Sequence, residues 1–253
     1  MVELRGDSTR AAEPEQTAVH AGAVDSTCFA ATMPAGAYRE QTRRRLMQKK
    51  ALWPGRFQPP TIAHMHTAEV ILDSGWNHLT IAVVYDVARP SNVDPRWKEY
   101  LEISDRTAFG PGKIIFNADE VKEMWEAGIV AARLDKQVRV VTMARTQYNP
   151  NLNTDFPPFE YDYIVPTLTD GTDELDKIRR ALYAEVFNRP IKTVVPTFSF
   201  HNSQIRESIR ARGDKAGWES ALPPGTYEMF MDISGPQRVA EADKIAAEAR
   251  KKS

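Results

Sequence analysis

The chain has 253 residues, a hydrophobic fraction of 42% and a formal charge of −1. That length supports one full globular core or two small ones, and the near-neutral charge excludes a chain-wide attraction to nucleic acid or anionic membrane. One cysteine, Cys28, excludes an intrachain disulfide and fits a reducing cytoplasm, and no apolar run approaches the roughly 20 residues of a membrane span.

Residues 1–46 are rich in Ala, Thr, Glu and Gly without a sustained period. Their composition predicts a disordered extension. The basic residues Arg43, Arg44, Arg45, Lys49 and Lys50 are read as a solvated linker. No basic flank precedes a long apolar stretch, so no signal peptide is expected. From Ala51 an apolar run leads to Gly55. A helix is predicted over 62–74 and a buried strand over 78–85 (HLTIAVVY). Residues 86–116 carry Pro90, Pro95, Gly110, Pro111 and Gly112, and read as a long loop with a short helix near 97–103. Asn117 is the expected N-cap of a helix over 118–132. A strand follows over 138–143, then a loop over 146–160, a strand over 161–165, a helix over 173–187 and a strand over 191–195. A helix over 203–212 stops at Gly213, and a polar helix over 236–252 ends the chain. The expected divisions are the extension, one domain over 47–234, and the terminal helix over 235–253.

Strands alternating with helices predict an α/β fold with a mostly parallel, Rossmann-like sheet and helices on both faces. In such sheets ligands bind outside the carboxyl ends of the strands. The first strand-to-helix turn reads Gly55-Arg56-Phe57-Gln58-Pro59-Pro60-Thr61-Ile62-Ala63-His64. A helix start there presents N–H groups and a positive dipole end to phosphate. Gly55 allows close backbone approach. Arg56 offers a guanidinium fork. Thr61 and His64 share one helix face. A second strand–loop–helix start reads Phe200-His201-Asn202-Ser203-Gln204-Ile205-Arg206, with Ser203 and Arg206 on one face. By themselves those residues are read as an ordinary N-cap and a solvated arginine.

The first string resembles the G-R-F-x-P-x-H-x-G-H signature of the class I-like nucleotidyltransferases, and is most similar to the nicotinamide mononucleotide adenylyltransferases. Gly55, Arg56, Phe57, Gln58, Pro59 and His64 match it. Thr61 stands in place of the first His, and Ala63 in place of the Gly. The second string resembles the I-S-x-T-x-I-R element: Ile205 and Arg206 match, Ser203 replaces Thr, Phe200 replaces Ile, and His201 replaces Ser. Weaker likenesses lie at 116–124 and 218–224, so the resemblance spans about residues 48–230.

The resemblance implies transfer of a nucleoside monophosphate from a nucleoside triphosphate, CTP or ATP, to a small phosphate- or phosphonate-bearing acceptor. It implies His64 and Arg206 as the residues that stabilise transition-state and leaving-group charge, with Thr61 and Ser203 on phosphate oxygens. Arg56 is the implied clamp, while Gly55, Phe57, Ala63 and His201 lie around the nucleotide. Mg²⁺ is expected with the triphosphate, held by phosphate oxygens and water and by no protein ligand. Ala63, His201, the extension and the long 86–116 segment favour a specialised cytidylyltransferase acting on a small phosphonate in secondary metabolism. The alternatives are a nicotinamide mononucleotide adenylyltransferase and a non-catalytic nucleotide sensor. An aminoacyl-tRNA synthetase is disfavoured, because the chain has no Lys-rich signature loop and no basic RNA-binding face. Neither nucleic acid nor membrane is an expected partner, the expected location is cytoplasmic, and a homo-oligomer is compatible with this reading.

Overall fold

The computed structural model describes residues 50–89, 91, 93–166, 191–196 and 218–252, with Lys177, Arg180, Ala181, Tyr183, Ala184, Ile205 and Ser208. The extension over 1–46 and the string carrying His201, Ser203 and Arg206 lie outside the described residues.

Five strands form one sheet: β1 Lys50–Gly55, β2 His78–Tyr85, β3 Val138–Ala144, β4 Tyr161–Pro166 and β5 Ile191–Val194. Their order is β3-β2-β1-β4-β5, and every pairing is parallel. The chain moves outward from β1 through β2 to β3, then returns to lay β4 on the other side of β1. The direction of winding therefore switches between β1 and β4, which in open α/β sheets is where a crevice forms. The turn after β1 lies beside that switch. Pro54 is tolerated within this central strand because the pairing with β4 stops at Leu52↔Tyr163, so its missing N–H breaks no bond there.

Side-chain alternation along the strands sorts the core into two layers. Ala51, Trp53, Leu79, Ile81, Val83 and Ile164 point to one face. There they meet α1 Ile62–Asp73, α3 Ala118–Ala131, α5 Thr226–Asp232 and α6 Gly235–Lys252. Leu52, Ala82, Tyr161, Tyr163 and Val165 point to the other face. There they meet α2 Lys98–Thr107, the short α4 Leu152–Asp155, and Tyr183. Tyr183 stacks on Tyr163 with ring centroids 4.9 Å apart. The expected α/β sheet with helices on both faces is what the chain forms.

Most element bounds agree with expectation to within two residues. The short helix expected near 97–103 is longer, because a 3₁₀ turn over Pro95–Trp97 runs straight into α2. The expected loop over 146–160 holds a 3₁₀ turn and α4. Helix α5 was not expected; Phe230 within it is fully buried against Phe116 and Trp218. Helix α6 is not polar on every face, since Val239 and Ala242 enter the core. Gly112 shows how closely α6 approaches the preceding loop. It takes φ +69°, and a Cβ there would stand 2.1 Å from the Ala242 carbonyl oxygen, so only glycine fits.

Candidate active site

Helix α1 begins at Thr61, whose hydroxyl accepts from the His64 N–H at 3.3 Å. His64 Nδ1 in turn accepts from the Thr61 backbone N–H at 3.0 Å. This is a capping box in which histidine occupies the position usually filled by Glu or Gln. A backbone N–H can only donate, so Nδ1 presents a lone pair. In the neutral ring the proton then sits on Nε2. The Thr61 hydroxyl lies 3.1 Å from the same Nδ1 and is fully buried. Thr61 is therefore placed to orient His64, and its hydroxyl faces the imidazole rather than an open phosphate site.

Three aromatic rings surround the half-buried imidazole. Phe57 meets it edge-on at 5.1 Å between centroids, with Trp53 at 6.1 Å and Trp125 at 6.2 Å. Phe57 adopts φ 47° and packs edge-on against both tryptophans. These contacts hold it in a backbone region that bulky residues avoid. Gly55 must lack a side chain because the Phe57 ring folds over it; a Cβ would stand 2.5 Å from the ring tip. The room expected beside Gly55 for a ligand is thus filled by the chain's own ring. Phe57, expected at the nucleotide, is a buried wall behind His64.

Gln58 pins this turn from below. Its Oε1 accepts from the Ile115 and Phe116 N–H groups at 3.0 and 2.8 Å, and its Nε2 donates to the Phe116 carbonyl at 2.8 Å. The segment entering α3 is thereby fastened to the first turn. Asn117 then caps α3, as expected, accepting from the Glu120 N–H at 2.9 Å. Arg56 points to the loop before α3. It donates to the carbonyls of Ala108 and Lys113 and lies 5.5 Å from the Phe109 ring centroid. The expected phosphate clamp thus bonds to loop carbonyls here. Ala63 is buried, and its carbonyl accepts from the Thr67 hydroxyl at 2.7 Å.

The structure thus brings Gly55, Arg56, Phe57, Thr61, Ala63 and His64 together at the carboxyl end of β1. Sequence reasoning missed Trp53 and Trp125 as the walls of the imidazole and Gln58 as its clamp. Trp53 was visible as an apolar residue just before the motif, but Trp125 lies 61 positions beyond His64 and had no local signal. Among the described residues, no group of three His, Cys, Asp or Glu side chains could hold a metal ion.

No protein-family model matches the chain, and no curated protein matches it. One similar solved structure is the nicotinic acid mononucleotide adenylyltransferase of Plasmodium falciparum, complexed with APC. It is 11% identical, with a TM-score of 0.37, over 75% of this chain and 98% of that one. A likeness of that degree carries no argument about the chemistry of this chain.

Proposed function

We propose that this chain is a nucleotidyltransferase that moves a nucleoside monophosphate from a nucleoside triphosphate to a phosphate- or phosphonate-bearing acceptor. The observation that supports it most directly is His64. Its ring stands on the first turn of α1, at the carboxyl end of β1, with Nδ1 held by the Thr61 N–H. That leaves Nε2 to carry the proton and to donate to a phosphate oxygen. The N–H groups of the same helix start add a positive field.

In this reading an anionic oxygen of the acceptor attacks the α-phosphorus in line. A new P–O bond forms as the bond to the bridging oxygen breaks, and pyrophosphate leaves with that electron pair. No general base is required, and the chain's part is orientation and charge stabilisation. Nε2 of His64 meets charge growing on the transferred phosphate. Thr61 acts through His64 as a positioning residue. Arg206 is assigned to the leaving pyrophosphate, with Ser203 and His201 beside it, on the strength of the motif alone. Mg²⁺ bound by the triphosphate would offset phosphate charge.

The finer form of the proposal is CMP transfer to a small phosphonate, for which Ala63 is the motivating residue; AMP transfer to nicotinamide mononucleotide is the alternative. The test is pyrophosphate release from a panel of nucleoside triphosphates and acceptors, run with wild type and His64→Ala. Losing one donor to transition-state charge costs roughly 2.7–4 kcal/mol, so turnover should fall about a hundredfold or more while the fold survives. A folded His64→Ala protein with wild-type turnover would remove His64 from the mechanism.

A further inference from the structure

Beyond the first turn, the carboxyl ends of β2 and β3 flank a pocket of about 440 Å³ walled by Asp86, Arg89, Asp105, Phe109, Arg145 and Tyr148. Arg145 is its buried centre, only 3% exposed. Its Nη1 donates to Asp105 at 2.6 Å and to Asp86 at 3.1 Å, and its Nη2 to the Ser104 hydroxyl at 3.3 Å. Its guanidinium lies over the Phe109 ring at 4.2 Å. Arg56 of the first turn lies against the same ring, so one phenyl group joins the pocket to the helix start.

Two features point to a ligand. The Tyr148 hydroxyl and Arg145 Nε are buried without a hydrogen-bond partner among the described residues, a condition that native interiors rarely tolerate. The two carboxylates are also open to the pocket. Asp86 and Asp105 have side chains 49% and 45% exposed, and each bonds to Arg145 through Oδ1. The charge balance decides the ligand class. Two carboxylates offset the two guanidiniums of Arg89 and Arg145, so the pocket has no net charge with which to prefer a bare anion or cation. It offers carboxylate oxygens and a phenol, which suit a neutral group with several hydrogen-bond donors.

We propose that this pocket binds a neutral polyhydroxyl group, a sugar or polyol, that forms the body of the phosphate- or phosphonate-bearing acceptor. The acceptor role rests on the nucleotidyl-transfer reading above; the polyol chemistry rests on the pocket alone. The oxyanion of such an acceptor reaches toward the first turn, and its hydroxyls bond to Asp86, Asp105 and Tyr148.

Titration calorimetry on the full chain tests this, with ribose 5-phosphate and sorbitol 6-phosphate as polyol probes and phosphonoacetate and phosphoethanolamine as compact anionic and cationic ones. At least one polyol probe should bind at least tenfold tighter than either compact probe. Asp86→Asn and Tyr148→Phe should each erase most of that advantage and leave binding of the compact probes unchanged. Without ligand, Tyr148→Phe should melt no lower than wild type, because it removes an unpartnered buried hydroxyl. Polyol probes that bind no tighter than phosphonoacetate, or equal binding in both variants, overturn the proposal. Tight, variant-sensitive polyol binding without pyrophosphate release from any triphosphate would sink nucleotidyl transfer and keep the polyol site. Release with phosphonoacetate at undiminished efficiency, together with weak polyol binding, would do the reverse.

Discussion

Nucleotide choice belongs to single residues, and Ala63 is the one to test. Its methyl group is buried on the first turn of α1, one position before His64. If a purine packs against that turn, the methyl crowds it, and overpacking a tight site costs roughly 1–3 kcal/mol. A pyrimidine that seats differently escapes this cost. Ala63→Gly should therefore lower the ratio of kcat/KM for CTP over ATP by a factor that reflects those energies. Glycine in a helix also costs about 1 kcal/mol of stability relative to alanine, so the ratio is the informative quantity rather than either rate. A wild type that strongly prefers ATP would overturn the cytidylyl form and promote adenylyl transfer. An unchanged ratio would clear Ala63 and move attention to His201. The same scale shows why Thr61 matters without touching substrate: its backbone N–H decides which imidazole nitrogen carries the proton.

At the scale of elements, α3, α6 and the first turn form one fastened unit. Gln58 ties the turn to residues 115 and 116, and Arg238 of α6 donates to the Ile115 carbonyl at 2.8 Å and to Glu120 at 2.9 Å. The Arg238 guanidinium holds the Glu120 carboxyl below the ordinary glutamate range; partial burial opposes this and the Asn117 N–H reinforces it. A carboxyl that is more acidic when folded contributes stability above its unfolded pKa, about 4.3. That contribution fades as pH falls through the lowered folded value. Urea midpoints measured from pH 7 down to pH 3 should therefore drop more steeply below about pH 4.3 in wild type than in Glu120→Gln. Parallel curves would show that the pair carries no proton linkage. This fastening was not legible in the chain, because its partners lie 118 positions apart. The α3 cap was legible, because Asn117 and Glu120 are three residues apart and form a capping box.

For the whole molecule, the sheet begins at Lys50, and both core layers are built from residues that follow it. A chain starting at Met47 should therefore keep the thermal midpoint and turnover of the full chain. Loss of either would make residues 1–46 part of the fold or of the site. The parallel order with β1 at its centre also explains how one turn serves as a site. Every strand ends on the same edge, so the segments after β1, β2 and β3 gather there, and residues distant in the chain share one surface.

The sequence by itself determined the alternation of strands and helices, the β1 turn and the caps of α1 and α3. Each of these depends on residues within a few positions of one another, where period and capping chemistry act. Helix α5 escaped that reading because seven residues hold too few turns for an apolar period to show. Only the tertiary structure decided what faces His64 and what lines the neighbouring pocket. Trp53, Phe57 and Trp125 converge on one imidazole, and Asp86 and Asp105 converge on Arg145. Those meetings follow from strand order and from the packing of distant side chains across a sheet edge, and no local pattern of residues encodes them.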